Sequence, residues 1–278
     1  MRTADEHDLP AIAALRESVG WAAHDWALRA VLDPSDSRCL VVVERGAIVA
    51  VGSGITFGAL GFVGNMVVAE GQRRRGVGAG ILESVIEFLE DERGCARLEL
   101  FATESGRPLY ARYGFALTDP SAMASVPRST VPGSADSSVE VEEAHGPEEL
   151  AQYDAPRFGG NRRRLLAMMA SDPGRPLLVA RRERTIKGYA WLRSDGPRLG
   201  PVLADSPAIA AALLTGAFER VPEADELMLN VPAANVSGMQ WLVSLGIELE
   251  PWDGRMARGP AISRRDDTIY ANLVGALG

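Results

Sequence analysis

The first half of the chain alternates short apolar segments with turn residues and then changes to a helical repeat. Apolar segments at 39–43 and 48–51 flank Arg45-Gly46 and predict a β-hairpin. A third apolar segment, 62–68, predicts a further strand. Apolar residues then recur at helical spacing as far as Gly94, which predicts an amphipathic helix closed by a glycine cap. The apolar positions of that helix are Ile81, Leu82, Val85, Ile86 and Leu89.

Shorter elements lie on both sides of this region. A first helix is predicted from Asp8, a candidate N-cap, and a second over residues 26–31. Residues 98–101 predict a strand, residues 108–113 predict a short helix that ends at Gly114, and Phe115 begins another strand.

Residues 139–278 repeat this order of elements in a weaker form. The predicted counterparts are a hairpin at 177–180 and 186–192, a strand at 198–203, a strand at 226–230 and a helix at 235–247. Between residues 125 and 138 the sequence is rich in proline, glycine and small polar residues and lacks apolar periodicity, which is typical of a connector. We therefore predict one domain over 1–128, a linker over 129–138 and a second domain over 139–278.

Composition limits the function classes. The 278 residues are 46% hydrophobic, which is enough to bury the cores of two domains. The net charge of −8 and the pI near 5.1 argue against a nucleic-acid-binding protein. The amino terminus is acidic and lacks an apolar segment, and the alanine-rich stretch at 208–218 is too short to span a bilayer, so we expect a cytoplasmic protein with no membrane partner.

Metal chemistry has no support in the sequence. The chain contains two cysteines, Cys39 and Cys95, and its three histidines, His7, His24 and His145, are scattered. Neither set has the spacing of a metal site or of a disulfide framework. We therefore expect no bound metal.

A basic, glycine-rich segment follows the third strand directly and opens the amphipathic helix. Backbone N–H groups in such a turn point toward an anion, and the helix dipole and the arginines add positive charge. A side chain at Gly76 or Gly78 would block close approach of the backbone or strain the turn. The predicted phosphate-binding residues are Arg73, Arg74, Arg75, Gly76, Val77, Gly78 and Ala79.

This order of elements, together with the segment Leu-Tyr-Ala-Arg-Tyr-Gly-Phe at 109–115, resembles the GNAT family of N-acetyltransferases. The family pattern Arg-x-x-Gly-x-Gly is met by Arg73, Gly76 and Gly78. The resemblance implies an α/β (α+β) fold of two tandem GNAT-like domains, each a mixed, largely antiparallel sheet flanked by helices. It also implies that the glycine-rich loop binds the pyrophosphate of acetyl-CoA.

The resemblance assigns further contacts with the coenzyme. Met66, Val67 and Val68 would offer backbone groups to the pantetheine arm and the thioester, and Tyr110 would lie near the sulfur. Many relatives have asparagine seven residues before the tyrosine, where this chain has Thr103. Thr103 is therefore kept as a cofactor-binding candidate on weaker grounds than the loop.

A dinucleotide-binding site is the alternative for the same glycines. Glu99 lies about where the ribose-binding acid of such a site would stand. The third glycine of that fingerprint, however, would fall at Ile81, and arginines inside the turn are foreign to it. A comparison of coenzyme A with nicotinamide cofactors in a binding assay separates the two interpretations.

Acyl transfer to an amine needs a base, an oxyanion site and an acid for the departing thiolate. Backbone N–H groups of residues 66–68 can serve the oxyanion. Tyr110 is the predicted acid, with Tyr113 in reserve and core packing as the alternative role of the Tyr110 ring. The sequence does not single out a base. The candidates are Glu104, Glu99, Asp25 and a water chain, and each carboxylate is also explained as a solvated surface group.

The second half lacks this chemistry. Residues 201–207 carry prolines and Asp205 where a phosphate site needs N–H donors and positive charge, and Leu242 stands at the position of Tyr110. The run Gly-Gly-Asn-Arg-Arg-Arg at 159–164 has its glycines before the arginines, so we interpret Asn161 as a helix cap. We predict a catalytically silent domain that shapes the acceptor site.

Two functions remain open at this stage. The first is transfer of an acetyl group from acetyl-CoA to a primary amine of a small molecule. The second is a non-catalytic acyl-CoA-binding sensor in which Tyr110 only packs. The expected partner is the small-molecule amine, with no nucleic acid, and the oligomeric state is left open between a monomer and a homodimer.

Overall fold

A computed structural model describes residues 1–21, 25–133, 138–144, 146–172, 176–193, 196–273 and 277. The strands are β1 (Arg2–Thr3), β2 (Ser37–Glu44), β3 (Ala47–Thr56), β4 (Leu60–Val68), β5 (Arg97–Ala102), β6 (Ala116–Pro127), β7 (Val139–Glu143), β8 (Leu177–Arg182), β9 (Thr185–Leu192), β10 (Leu199–Ala204), β11 (Glu226–Pro232), β12 (Leu249–Arg258) and β13 (Ile269–Ala271). The α-helices are α1 (Leu9–Glu17), α2 (Asp25–Ala30), α3 (Val77–Glu87), α4 (Arg107–Arg112), α5 (Pro147–Phe158), α6 (Arg163–Ala170), α7 (Pro207–Arg220) and α8 (Val236–Ser244).

The chain divides into two compact units. Unit 1 contains Met1–Ala116 together with Met256–Ala261, and unit 2 contains Leu117–Arg255 together with Ile262–Val274. The chain therefore leaves unit 1 before β6 and returns to it with the last residues of β12. The predicted boundaries at 128 and 139 were drawn from local composition, which carries no information about such a return, and they stay a prediction.

Unit 1 is built on a mixed sheet. Its strands lie in the order β1, β2, β3, β4, β5, followed by the end of β12. Neighbours from β1 to β4 are antiparallel, and β4 and β5 are parallel. Helix α3 packs on β3 and β4 and buries Ile81, Leu82 and Val85 in the main apolar core of the unit.

The returning segment of unit 1 is held by polar contacts as well as by strand pairing. The Arg258 guanidinium forms an ion pair with Glu90, with its Nε 2.8 Å from Oε1. Arg258 Nη1 also donates to the backbone oxygen of Tyr113 at 2.9 Å. The same short segment thus contacts both the end of the α3 region and the turn after α4.

Unit 2 contains a five-stranded sheet in the order β13, β10, β9, β8, β7, in which all neighbours are antiparallel. It also contains the neighbouring strands β12, β6 and β11. Helix α7 buries Ile209, Leu213 and Leu214 in the core of this unit. The predicted α/β fold class, in which sheets are flanked by helices, is confirmed.

Most predicted elements are confirmed, including the hairpin turn. Arg45 and Gly46 have φ of 50° and 82°, as a two-residue hairpin loop requires. The predicted first helix is found as α1, but the Asp8 side chain accepts hydrogen bonds from Arg2 and from the backbone of Asp5 and makes no cap bond to α1. The amphipathic helix continues past α3 as a π-helical turn, Phe88–Glu92, before Gly94 with φ of 67°.

The connector begins later than its composition indicated. Residues 125–127 complete β6 rather than open a loop, and Val126 is fully buried there. A short 3₁₀ turn, Arg128–Thr130, follows. Residues 134–137 of the predicted linker lie outside the described residues, as do His24 and His145.

Candidate active site

The parallel strands β4 and β5 separate soon after they begin. Their paired registers run from Leu60 opposite Arg97 to Phe62 opposite Glu99. Beyond that point β4 continues to Val68 and β5 to Ala102. In the described part of the chain no strand pairs with the facing edges of residues 63–68 and 100–102. Their backbone groups are thus available to a ligand that enters between the strands.

A β-bulge lies on this open stretch of β4. Val51 pairs with Val67 and Ser53 with Gly64, so Asn65 and Met66 both stand opposite Gly52. Asn65 adopts φ of 54°, a left-handed conformation that asparagine tolerates better than other side chains. A Cβ on Gly52 would collide with the side chains of Ile81 and Met66, so this position requires glycine.

The basic loop follows β4 immediately, as predicted. Arg74 and Gly76 both have positive φ, 60° and 83°, and α3 begins at the next residue. Gly76 provides no side-chain cap, so the first N–H groups of α3, at Val77, Gly78 and Ala79, are left for another acceptor. These groups form the start of an anion site at a helix N-terminus.

The three arginines of the loop are exposed and differ in how they are held. Arg73 Nε donates to the carbonyl oxygen of Val68 at 3.1 Å, which anchors the loop to the end of β4. Arg75 donates to Gln72, which in turn donates to Glu44. Arg74 makes no hydrogen bond or ion pair in the described residues. The loop therefore presents positive charge beside the uncapped N-terminus of α3.

Gly78 lies against the strand that the loop follows. A Cβ at this position would come within 3.3 Å of Val68 Cγ2 and 3.7 Å of Leu109 Cδ2. The first turn of α3 therefore sits close to the end of β4 and to α4. Only a small residue fits there without a shift of its neighbours.

Tyr110 lies in α4 and is buried, with 8% of its surface exposed. Its ring packs edge-on against Phe115 at a centroid distance of 6.2 Å. The carbonyl oxygen of Thr103 accepts the N–H of Gly106 at 2.9 Å. A Cβ at Gly106 would come within 3.0 Å of the Tyr110 ring and 3.3 Å of Thr103 Oγ1. The turn before α4 thus brings Thr103 and Tyr110 together.

The other acid and base candidates have different surroundings. Tyr113 donates its hydroxyl to Glu83 at 2.6 Å, and this hydrogen bond raises the pKa of Tyr113. Glu99 is buried and ion-paired with Arg97, with Oε1 2.5 Å from Nε, whereas Glu104 is exposed. The side chain of Asp25 lies outside the described residues.

Sequence reasoning missed a polar cluster behind the bulge. Asn65 Oδ1 accepts a hydrogen bond from Arg16 of α1, and Asn65 Nδ2 donates to Ser53 Oγ at 2.9 Å. All three side chains are buried. The available signal was Gly64-Asn65 in the middle of an apolar strand, a dipeptide that favours positive φ and interrupts regular pairing.

In unit 2 the corresponding pair of strands, β10 and β11, is separated by another strand. Just before β10, Arg198 forms an isolated parallel bridge with Met228 of β11. Beyond it, β13 pairs with β10, with Val202 opposite Ala271, and Asn272 N–H donates to the carbonyl oxygen of Asn230 at 2.8 Å. The backbone edges that are open in unit 1 are thus occupied here by the chain itself.

The N-terminus of α7 in unit 2 is capped from within. Ser206 Oγ accepts the N–H of Ile209 at 3.4 Å. The preceding Asp205 accepts hydrogen bonds from Tyr153 at 3.0 Å and from Arg157 at 2.6 Å. A carboxylate with its own partners therefore stands before this helix, where unit 1 has exposed arginine side chains and glycine. Leu242 is fully buried.

The arginine run after Gly159-Gly160 is a packing feature. The N-cap of α6 is Arg162, which makes no side-chain cap bond, so the prediction of Asn161 as the cap is wrong by one residue. Asn161 Oδ1 instead accepts the N–H of Arg163, the first residue of α6, at 3.0 Å. Arg162 points inward and pairs with the buried Asp154 at 2.6 Å. This segment does not present its arginines together to a ligand.

Two family comparisons match separate parts of the chain. Residues 35–117 match a GNAT acetyltransferase domain, and residues 150–271 match a second GNAT acetyltransferase domain. Among curated proteins there is no match.

Solved structures of similar fold cover almost the whole chain. A protein from Pyrococcus horikoshii assigned as an acetyltransferase is 22% identical with a TM-score of 0.79. The match covers 100% of this chain and 95% of the Pyrococcus protein. A GCN5-related N-acetyltransferase from Sphaerobacter thermophilus is 19% identical with a TM-score of 0.64, over 95% of this chain and 97% of its own. A tandem GNAT protein from the clavulanic acid biosynthesis pathway is 15% identical with a TM-score of 0.63, and the match covers 92% of this chain and 97% of that protein. These identities establish a shared fold.

Two further observations concern the described residues alone. None of their helices combines the length and the apolar character needed to cross a membrane. They also contain no group of three or more histidine, cysteine or acidic side chains arranged to hold a metal ion.

Proposed function

Because this chain belongs to the GNAT acetyltransferase family, with two such domains in tandem, we propose that unit 1 transfers an acetyl group from acetyl-CoA to a primary amine of a small molecule. The observation that carries the proposal is the continuity of two features. The open edge of β4 runs directly into the basic loop and the uncapped N-terminus of α3. One extended ligand with an anionic end fits both features together.

The residues of unit 1 fit coenzyme A in particular. The N–H groups of Val77, Gly78 and Ala79 and the exposed arginines would hold the pyrophosphate, because they combine donors with positive charge. The open edge of Met66, Val67 and Val68 would bind the pantetheine arm. Thr103, which lies beside Tyr110 at the end of β5, is the adjoining candidate contact.

Acetyl-CoA supplies an acetyl group bound to a thiolate, which is a good leaving group. The amine nitrogen forms a bond to the carbonyl carbon, the carbon–sulfur bond breaks, and the ammonium proton passes to a base. N–H groups on the β4 edge stabilise the negative charge on the carbonyl oxygen. Tyr110 donates its proton to the departing thiolate. Glu104, which is exposed, Asp25 and water remain the base candidates, since Glu99 is bound to Arg97.

The small-molecule acceptor is supported by the fold comparison. The clavulanic acid pathway protein shares the tandem arrangement and belongs to a pathway that makes a small molecule. We therefore place amino sugars and amino acids ahead of peptides as substrates for this chain.

The test is release of free thiol from acetyl-CoA in the presence of an amine panel. The panel contains amino sugars, free amino acids, polyamines and a peptide with a free amino terminus and a lysine. Thiol release that depends on a small amine, with the acetylated product found by mass spectrometry, supports the proposal. Release with the peptide alone contradicts the small-molecule assignment.

The alternative function is a non-catalytic acyl-CoA-binding module. Burial of Tyr110 against Phe115 favours it, because a packed ring needs no catalytic role. Tight binding of acetyl-CoA by calorimetry, combined with no amine-dependent thiol release across the panel, would support this alternative.

A further inference from the structure

Three buried polar side chains from separate elements meet at the bulge of β4. Arg16 of α1, Ser53 of β3 and Asn65 of β4 expose only 5%, 1% and 2% of their surfaces. Arg16 donates to Asn65 Oδ1, and Asn65 Nδ2 donates to Ser53 Oγ at 2.9 Å. Both polar atoms of the Asn65 amide are therefore used, one by each neighbouring element.

Burial of this cluster needs a reason beyond packing. A guanidinium removed from water loses hydration, and burial lowers the pKa of Arg16 below its usual value. Its guanidinium carbon also lies 5.5 Å from the centre of the Trp21 ring, a cation–π contact. The side chain is thus held in a fixed position between α1 and the bulge.

The cluster acts on the backbone at the one irregular point of β4. Asn65 has φ of 54°, a backbone conformation that is unfavourable for a non-glycine residue. The two hydrogen bonds of its amide oppose a return to regular strand geometry, since that return would turn Asn65 to the other face. The peptide groups after Asn65 are thus fixed on the edge that faces the open space beside β5.

We propose that Arg16, acting through Asn65, is a positioning residue that fixes the backbone N–H groups after the bulge so that they bind the thioester carbonyl oxygen. This inference rests on the proposed acetyl transfer and deepens it. The Arg16 cation also contacts the side chain of Asn65 at the bulge. A positive charge near the bulge favours the thioester carbonyl oxygen, which becomes negative as the amine attacks. The role is to orient and strengthen donors, without contact with the substrate.

The test compares two coenzyme A thioethers that differ in one oxygen. 2-Oxopropyl-CoA carries a ketone carbonyl one methylene further from the sulfur than the thioester carbonyl, and propyl-CoA has a methylene in place of that carbonyl. Isothermal calorimetry on the full chain gives the affinity ratio of ketone to alkane. We expect a ratio of about 10 in the natural protein, or about 1.4 kcal/mol, which is one good hydrogen-bond site.

The variants remove the network and leave the phosphate loop alone. In Asn65→Gly the left-handed backbone remains allowed and the amide is lost, and in Arg16→Gln the charge is lost. We expect the ratio to fall to about 2 or less in both, with propyl-CoA affinity within about threefold and kcat reduced by about 10- to 100-fold. The matched control is Glu17→Gln, a neighbouring exposed position on α1, which should keep the natural ratio.

A conservative variant keeps the test decisive if Arg16→Gln fails to fold. Asn65→Asp keeps an acceptor for Arg16 and tolerates positive φ, so it should retain most of the ratio that Asn65→Gly loses. The inference is supported if the ketone-to-alkane affinity ratio is lost in Asn65→Gly and kept in Asn65→Asp. A ratio that is unchanged in folded Asn65→Gly, or lost equally in both variants, overturns it.

The same data separate this inference from the proposed function. Amine-dependent turnover with an unchanged ratio in the variants overturns the positioning role alone. A ratio that depends on the network in a protein that acetylates no amine contradicts the transferase and supports the positioning role.

Discussion

The two units differ in what lies between two comparable strands. In unit 1 these strands are β4 and β5, and in unit 2 they are β10 and β11. β4 and β5 pair in parallel and then diverge, and a parallel bridge joins Arg198, just before β10, to Met228 of β11. In unit 1 the diverging edges have no strand between them in the described residues, whereas in unit 2 β13 lies against β10 and its next residue bonds to β11. One unit thus keeps its backbone groups for a ligand, and the other satisfies them internally.

The helices that follow these strands show the same contrast. Helix α3 starts after Gly76 without a side-chain cap, while α7 starts after Ser206, whose hydroxyl caps it. The apolar faces of both helices are buried in the cores of their units. The two helices thus share an apolar face, and they differ in the polar groups at their starts, which is where an anion would bind.

The largest expected effect comes from a charge reversal in the loop. Gly78→Glu places a carboxylate at the second position of α3, where the pyrophosphate is expected. Coenzyme A affinity should fall by about 1000-fold, or about 4 kcal/mol, by calorimetry. Ala208→Glu is the matched control, because Ala208 is the exposed second residue of α7. It should leave the affinity unchanged. Natural affinity in a folded Gly78→Glu protein would exclude the loop as the phosphate site.

The next effect concerns Tyr110, at whose position the sequence comparison of the two halves places Leu242. Tyr110→Phe keeps the packing against Phe115 and removes the proton, so kcat should fall by about 100-fold with little change in coenzyme affinity. The control is Tyr113→Phe, whose hydroxyl is bound to Glu83, and its kcat should stay within about twofold. Natural turnover by Tyr110→Phe would show that another group or water protonates the thiolate.

Stability measurements test the closure of unit 2. A Cβ on Gly200 would collide with the backbone oxygen of Asn272, just after β13. Gly200→Ala should lower the free energy of unfolding by about 1–3 kcal/mol in denaturant titrations. Gly80→Ala in α3 meets open space and should raise it by about 0.5–1 kcal/mol through helix propensity. Equal stability of Gly200→Ala and the natural protein would mean that β13 is not held as described.

The smallest expected effect comes from removing the N-terminal cap of α7, which α3 lacks. Ser206→Ala removes the cap of α7 and should cost about 1 kcal/mol of unfolding free energy. Coenzyme A affinity should not change, because the proposed coenzyme site uses residues of unit 1 alone. A drop in affinity with intact stability would assign α7 a part in the coenzyme site.

The local sequence predicted the helices, the strands and the basic loop after β4. It did not predict the bulge at Asn65. The hairpin at Arg45-Gly46 and the start of α3 after Gly76 depend on residues close together in the chain, so turn chemistry and apolar spacing were sufficient. Asn65 lies inside an apolar strand, and its partner Arg16 is 49 positions away. No periodicity connects such residues.

The sequence by itself determined the two similar units, the basic loop of unit 1 and its absence from unit 2, because glycines, prolines, charges and apolar repeats act on their near neighbours. The tertiary structure alone decided that β13 closes the second pair of strands, that Met256–Ala261 belong to unit 1, and that Arg16 and Ser53 hold the bulge. These features arise when distant segments compete to pair backbone groups and bury polar ones. Their outcome depends on packing of the whole unit, which no local pattern records.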